Sequence, residues 1–424
     1  MKISHSVPLR CVVAGLLLMC VFNIQAQEDG PTAKDGILDL SNYDFDGGAV
    51  ALTGRWNFFD GKLLTESECR TSPPNLVDFP QVWNKLRADG NGQGYGTYYL
   101  RIILPESLQN PGLSLPQMYC SYELWVDGTS IAQNGSVGTS RNTYSPQWLP
   151  QVATFSHIDD TVHLVLQIAN YDHNLGGTKE TILLGKRTEL VSYNQTAKTG
   201  TLIEIGILAL LFITCMVIQI IQKEKKRILF YFGLVCLSWA VRAGFSNIYV
   251  VTSYFPDFNW ALAVRIEYIT LFFTMIWGIL FIGRLFQNEE NKIIKYLLVS
   301  GNSFFIAFAV LTGPLTFSKG MDIYLTFCAI LLVYGVYIVI RALINERVGG
   351  WYLAASSLLA ITIFALDVSA YKGIIANRPV LFSVGYILMY VLMMIALMLH
   401  LKIFKSSSVS NMLTYDDLYK DQGN

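Results

Sequence analysis

Seven long apolar segments, separated by short polar loops, fill the second half of the 424-residue chain. Lipid offers no water to an exposed backbone, so apolar segments of roughly 18–23 residues are expected to cross a bilayer as α-helices. The pattern predicts an all-α transmembrane bundle over residues 201–404. The predicted spans are Leu202–Ile221, Ile228–Tyr249, Trp260–Ile282, Ile293–Leu311, Ile323–Ile340, Trp351–Ala370 and Val380–Leu401.

Composition and charge agree with a membrane protein. Hydrophobic residues make up 52% of the chain and charged residues 15%, and the mean hydropathy is +0.40. Values of this size are typical of proteins that place much of their surface against lipid. The formal net charge is zero, so nothing favours nucleic acid as a partner.

The orientation follows from the N-terminus and from the basic residues in the loops. Residues 1–26 have the pattern of an export signal peptide, with Lys2 and Arg10 ahead of an apolar run. Lysine and arginine are concentrated in the first, third and fifth loops and after the last span, beginning with KEKKR at 223–227. Positive loops stay cytoplasmic. We therefore predict a plasma-membrane protein with its N-terminal domain outside and residues 405–424 as a cytoplasmic tail.

Residues 27–191 have the pattern of an all-β domain. In Thr161–Tyr171 the aliphatic residues at even positions share one face, which is the period of a strand with one buried side. Thr97–Leu104 follows the same rule, and Asp127-Gly128 marks a hairpin turn because glycine tolerates positive φ. Many short strands with such turns predict a sandwich or jelly roll. Residues 192–200 are predicted to be a polar linker to the helices.

Cys69 and Cys120 are the only cysteines in the predicted exported domain. In an oxidising compartment they could form one disulfide. They could equally be two unpaired core thiols, because the sequence gives no distance between them. No spacing of cysteine and histidine is typical of a metal site, so no metal is predicted.

Aromatic residues of the exported domain are candidates for stacking on a sugar ring. Trp56 and Tyr98 lie on apolar-patterned strands and are assigned to the core. Trp125 falls on the opposite face from its apolar neighbours and is the better exposed candidate, while Trp148 is a loop candidate in SPQWLP. The loop at 170–177 is either a ligand loop or an ordinary glycine turn. Its polar candidates are Asn170, Asp172, His173 and Asn174.

Five ionisable residues inside the predicted spans fall in the half of the bilayer next to the exported domain. They are Glu204, Arg242, Arg265, Glu267 and Asp367. Charges at that depth are costly unless they are paired or hydrated. We expect a network that couples movement of the exported domain to the helices, with Arg242 and Glu267 as its central pair. The alternatives are snorkelling, which suits Glu204 and Asp367, and stabilisation of the bundle alone.

Four phrases of the exported domain are similar to one family: LTGRWNFFDGKLL (52–64), GYGTYYLRIILP (94–105), YELWVDGTSIAQNGSVGTS (122–140) and LQIANYDHNLGG (166–177). With the seven spans, they resemble the bacterial seven-transmembrane receptors with diverse intracellular signalling modules (7TMR-DISM). The same phrases are similar to the sugar-binding jelly roll of glycoside hydrolase family 2. The resemblance implies a galactose-binding-like jelly-roll ectodomain, and it adds support to the ligand-loop interpretation of 170–177 while the ordinary glycine turn stays open.

The resemblance implies a sensory receptor in the bacterial inner membrane. Its ectodomain would bind a small molecule or carbohydrate. Residues 405–424 are too few for a catalytic output domain, so its helices would signal to a separate cytoplasmic protein, or the chain would be a truncated gene product. No nucleophile or cofactor motif is recognised, so neither an enzyme nor a cofactor is expected. The alternatives are a transporter and an envelope-assembly accessory protein, and a homodimer is left open.

Overall fold

The structure is a computed structural model that describes residues 30–156, 159–221 and 227–401. A two-sheet β-sandwich comes first, and a bundle of seven long helices follows. The predicted signal peptide, the predicted tail and most of the basic sequence at 223–227 lie outside the described residues.

The described part of the sandwich has eleven strands. They are β1 (Ile37–Asp39), β2 (Val50–Ala51), β3 (Gly54–Asp60), β4 (Leu76–Phe79), β5 (Gly94–Ile103), β6 (Pro111–Leu115), β7 (Ser121–Val126), β8 (Thr129–Asn134), β9 (Gln151–Thr154), β10 (Thr161–Asn170) and β11 (Leu183–Lys186). The larger sheet has the order β4-β3-β5-β10-β7-β8, with β1 parallel beside β5, and the smaller sheet has the order β2-β11-β6-β9. Short helices at Glu66–Thr71 and Trp83–Leu86 and a 3-10 turn at Phe45–Gly47 connect strands.

The sandwich core is built as the alternation predicts. The aliphatic residues at even positions of β10, from Val162 to Ile168, are all buried, and Trp56 and Tyr98 are fully buried. Asp127 and Gly128 join β7 to β8 with φ of 48° and 76°, the left-handed conformation that a two-residue hairpin requires. The predicted fold class, an all-β ectodomain followed by a seven-helix bundle, is confirmed.

Among the described residues, seven helices are long and apolar enough, by length and composition, to cross a membrane. They are α1 (Arg187–Ile221), α2 (Arg227–Gly244), α3 (Trp260–Leu285), α4 (Lys292–Leu311), α5 (Met321–Ile344), α6 (Gly350–Tyr371) and α7 (Pro379–His400). Two short helices, Val250–Tyr254 and Pro314–Lys319, lie in the α2–α3 and α4–α5 connections. These two connections and the α6–α7 loop lie at the end of the bundle that faces the sandwich.

The prediction of a polar linker at 192–200 is wrong. These residues are helical, and α1 follows β11 directly. Leu190 is buried against Gly112 of β6, and Ala197 is buried against the α2–α3 connection. The segment is helical because both neighbouring parts of the protein pack on it, so one continuous helix joins the sandwich to the bundle. Most other predicted span boundaries agree within about one helical turn.

Candidate functional site

One loop of the sandwich packs directly on the helices. Trp148, in the loop before β9, is only 4% exposed. Its ring meets those of Tyr249 and Trp260 edge to face, with centroids 5.7 and 5.4 Å away. Its neighbour Gln147 donates from Nε2 to the carbonyl oxygen of Pro256 at 2.6 Å. Trp148 therefore belongs to the apolar cluster of the helices, and sandwich and bundle share one core at this junction.

His173 is a second contact from the sandwich to the bundle. Its buried ring stacks on Tyr119 with centroids 4.7 Å apart. Its Nδ1 lies 3.0 Å from the main-chain nitrogen and 3.3 Å from the carbonyl oxygen of Leu175, and its Nε2 lies 3.4 Å from the hydroxyl oxygen of Tyr268 on α3. Burial lowers the pKa of His173 to about 3, so the ring is neutral at physiological pH.

Asn170 holds the predicted ligand loop in place. Its Nδ2 donates to the carbonyl oxygens of Gly92, His173 and Leu175 at 2.7, 2.9 and 2.9 Å. Its Oδ1 accepts from the main-chain N–H of His173 at 3.0 Å. The side chain is fully buried, so it serves the loop conformation rather than facing solvent.

The other two loop candidates also have protein partners. Asp172 forms an ion pair with Arg141 at 2.6 Å on the surface. The main-chain N–H of Asn174 donates to Oγ of Ser318, in the short helix before α5, at 3.0 Å. The loop at 170–177 therefore packs on the bundle, and we call it the docking loop. The sequence interpretations, a ligand loop or an ordinary glycine turn, did not include this role.

Trp125 is not the exposed platform that the alternation indicated. The ring is half-buried and packs on a small cluster that contains Cys69 and Tyr99. Its Nε1 is buried with no hydrogen-bond partner in the described ranges. The helix Glu66–Thr71 carries Cys69 onto this face of the larger sheet. Strand alternation cannot reveal such a covering element.

Cys69 and Cys120 are both free thiols, so the disulfide alternative is wrong for this structure. The two residues lie in separate apolar clusters. Cys120 donates from Sγ to Oδ1 of Asn170 at 3.2 Å. Burial raises the pKa of the Cys69 thiol to about 12, which makes it unreactive.

Beneath Trp148 and His173 a cavity of about 80 Å³ separates the sandwich from the helices. We call it the junction cavity. It is partly open to the surface. The charged residues in its wall are Lys179, Glu180, Arg242, Glu267 and Asp367. The aromatic residues in its wall are Tyr119, Trp148, His173, Trp239, Tyr249, Tyr268, Phe364 and Tyr371.

A smaller cavity of about 20 Å³ adjoins the junction cavity. Glu204 of α1 lines it, and Trp239, Arg242 and Asp367 line both cavities. Trp239 donates from Nε1 to Oε1 of Glu204 at 3.0 Å, and Tyr386 of α7 donates to Oδ2 of Asp367 at 3.0 Å. Four of the five predicted charges thus line these two adjoining cavities below the sandwich.

The predicted pair of Arg242 and Glu267 takes a different form. Arg242 donates from Nη1 to the main-chain carbonyl oxygen of Glu267 at 2.6 Å. The guanidinium and the Glu267 carboxylate do not form an ion pair, and Oε2 of Glu267 is buried with no hydrogen-bond partner among the described residues. The guanidinium also lies 5.6 Å from the ring centre of Trp239. The pattern of charges in the sequence indicates only pairs of side chains, so it could not predict that Arg242 donates to a main-chain oxygen.

Arg265 does not join the network. Its Nε donates to the carbonyl oxygen of Ala309 at 3.3 Å and its Nη2 to that of Thr312 at 2.9 Å. The last carbonyl groups of a helix have no partner within it, and a cation there is favourable. Arg265 therefore caps the end of α4, which is a correction to the predicted network.

Lys179 and Glu180 were not recognised from the sequence. They lie between β10 and β11 with their charged groups 4.0 Å apart, and the Lys179 ammonium lies 4.9 Å from the ring centre of Tyr371. Burial raises the pKa of Glu180. Two adjacent opposite charges in a loop are usual at a protein surface, so no sequence signal distinguished them.

Residues 199–400 match the family model described as 7TM diverse intracellular signalling. The comparison with curated proteins finds no match.

The sandwich is similar to parts of solved glycoside hydrolases. A β-glucuronidase of Ruminococcus gnavus is 14% identical with a TM-score of 0.25. A β-glucuronidase of Faecalibacterium prausnitzii is 15% identical at 0.25, and a GH2 β-galacturonidase of Eisenbergiella tayi is 12% identical at 0.24. Each match covers 32% of this chain and 28%, 31% and 24% of those chains, respectively. This chain thus spans less than a third of their length.

Proposed function

The chain belongs to the 7TM diverse intracellular signalling family through residues 199–400, and from that premise we propose that it senses an extracytoplasmic ligand. The family and the seven apolar helices make it a multi-pass membrane receptor. In our proposal a ligand enters the junction cavity and changes how the sandwich rests on the helices. A cytoplasmic signalling protein then contacts the altered helix ends on the other side.

The observation that carries this proposal is the shared core at Trp148 and His173. Both side chains come from the sandwich, both line the junction cavity, and both contact residues of the bundle. A ligand in this cavity would touch both parts at once. Its binding energy would therefore depend on how the two parts are placed, which is the condition for shifting an equilibrium between two arrangements.

Trp239 supplies a path from the cavity into the bundle. Its ring, on α2, lies 4.4 Å from that of Tyr386 on α7, and it is hydrogen-bonded to Glu204 on α1. The neighbouring Arg242 is hydrogen-bonded to the backbone of α3 at Glu267. A rearrangement at this point would act on four helices together.

We place the sandwich outside the bacterial plasma membrane. The support is the charge of the helix ends opposite the sandwich, where Arg227, Arg284, Lys292, Arg341 and Arg347 lie. Basic ends of this kind stay in the cytoplasm. Of the ligand residues predicted from sequence, Trp148 and His173 keep this role in the proposal. We propose a receptor rather than an enzyme, and carbohydrate stays one candidate class on the sequence resemblance alone.

A covalent lock across the junction tests the proposal. Gln147→Cys and Pro256→Cys would be joined with a short bifunctional thiol reagent, since the native residues are hydrogen-bonded. A biotin ligase fused after Asn424 would report neighbours in the native host. We expect a kinase, cyclase or transcription regulator among the labelled proteins, and we expect the lock to change its labelling.

The Gln147→Cys variant alone, treated with the same reagent, is the matched control. The described native cysteines are all buried and should react little. Unchanged labelling of the signalling protein after locking would overturn the coupling. Labelling of envelope-assembly or transport proteins alone would favour the accessory or transporter alternative.

A further inference from the structure

The charges around the junction cavity do not balance. Lys179 and Glu180 offset one another across 4.0 Å. Arg242 is then left against two carboxylates in the same wall, Glu267 and Asp367. With all of these groups ionised, the wall of the cavity carries one negative charge more than positive.

Glu267 is the carboxylate that most needs a partner. Its Oε2 is buried and accepts no hydrogen bond from the described residues. Asp367 accepts one from Tyr386. Neither carboxylate has a lysine or arginine nitrogen of the described chain within 4.0 Å. A carboxylate withdrawn from water is strongly unfavourable unless a counter-charge or hydrogen-bond donors join it.

The walls of the cavity suit a cation. Aromatic π-faces attract ammonium and guanidinium groups. The protein's own cations already use them here, with Lys179 4.9 Å from the ring centre of Tyr371 and Arg242 5.6 Å from that of Trp239. Further along, the wall is apolar and is formed by Leu271, Met321, Leu325 and Phe364.

We infer that the junction cavity binds a small molecule with a protonated amine, whose ammonium donates to Glu267 and Asp367 between the aromatic rings. The carbon part of the ligand lies against the apolar wall. Arg242 has further N–H groups that can bind a hydroxyl or carboxylate of the same molecule. The volume of about 80 Å³ holds several water-sized groups, which suits a short amine. The inference rests on the proposed function in taking this cavity as the ligand site.

Probes that share one carbon chain test the inference on the full chain in lipid nanodiscs. Butylamine, butyrate and butan-1-ol differ only in the end group, and galactose represents the carbohydrate alternative. Tm would be followed by tryptophan fluorescence at increasing probe concentration. We expect a saturable rise of Tm with butylamine alone. Glu267→Gln should weaken butylamine binding at least tenfold, whereas Glu106→Gln, at an exposed site of the sandwich, should not.

A second measurement does not depend on the stability of the Glu267 variant. Ser246 lines the cavity, so Ser246→Cys places a thiol there. Butylamine should slow its modification by a small thiol reagent, and butan-1-ol should not. Equal protection by the amine and the alcohol would overturn the inference, as would a Tm shift that sodium chloride reproduces.

The results separate this inference from the proposed function. Protection by galactose and not by butylamine would overturn the inference of an amine ligand. The cavity would then remain a ligand site. The covalent lock between residues 147 and 256 needs no added ligand. If the lock left the labelling unchanged, the coupling would be overturned whatever the probes show.

Discussion

The indole of Trp148, on a loop of the sandwich, meets the indole of Trp260, the first residue of α3, at right angles with centroids 5.4 Å apart. This contact joins the two halves of the chain at the rim of the junction cavity. Edge-to-face pairs contribute beyond the area they bury, and both rings lie in the shared apolar cluster. The pair should therefore determine how firmly the sandwich is held.

Replacement of this tryptophan tests that role. Trp148→Ala removes a buried ring, and such changes cost about 3–5 kcal/mol of stability. We expect a lower Tm and faster hydrogen exchange in the loop at 170–177 and in Val250–Tyr254, which the ring holds in place. Trp125→Ala, on the larger sheet away from the helices, should leave exchange in both segments unchanged. Equal exchange at the junction in the two variants would contradict the docking role.

His173 makes stability depend on pH. Its pKa is about 3 in the folded protein, against an ordinary 6.5, because burial disfavours the charged ring. The unfolded chain takes up a proton at higher pH than the folded protein does. The stability from this residue is therefore complete above pH 6.5 and is lost as pH falls from 6.5 towards 3, by about 1.4 kcal/mol per pH unit.

The variant His173→Gln isolates this contribution. Free energies of unfolding at several pH values should fall less steeply below pH 6.5 in the variant than in the native protein. His163→Gln, on β10 and away from the bundle, controls for the loss of a histidine elsewhere in the sandwich. If the native protein and His173→Gln lose stability in parallel, the ring is not buried as described.

Asn170 should be the most sensitive polar residue of the docking loop. Asn170→Ala removes the donors for three carbonyl oxygens, at Gly92, His173 and Leu175. A buried polar group left unpaired costs about 1–3 kcal/mol, so the loss should be about 3 kcal/mol or more. Chemical unfolding measures it, with the exposed Asn42→Ala as the control. A loss under 1 kcal/mol would mean that water replaces the side chain.

The spans and the strands could be predicted because periodicity and length are local properties of a sequence. Residues 192–200 show the limit of that reasoning. They are polar for a span, and the sequence alone indicated a linker, yet Ala197 is buried where the α2–α3 connection meets α1. A helix that is stabilised by two neighbouring domains has no local signature.

Only part of the site could be predicted, because its residues come together through the tertiary structure. Charges inside spans are rare enough to be informative, and that signal identified Glu204, Arg242, Glu267 and Asp367. The same signal identified Arg265, whose partners are carbonyl oxygens at the end of α4. Two arginines in spans are alike in sequence, and only the tertiary structure shows which one faces the cavity.

A double charge swap distinguishes the observed contact from the predicted ion pair. If Arg242 and Glu267 were held by a salt bridge, Arg242→Glu with Glu267→Arg would restore much of what each single change loses. In the structure the guanidinium donates to the main-chain oxygen of residue 267. This oxygen stays in place when the side chains are exchanged, so the exchange does not restore the contact. We expect the double variant to be no more stable than the worse single variant.

The measurement is Tm of the three variants in nanodiscs, with Arg265→Gln as the matched control. That change removes an arginine of the spans that lies outside the cavity, so it should lower Tm and leave the binding of butylamine unchanged. Rescue by the double swap would show that the carboxylate and the guanidinium pair directly. The excess negative charge would then be smaller than the structure indicates, and the case for an amine ligand would weaken with it.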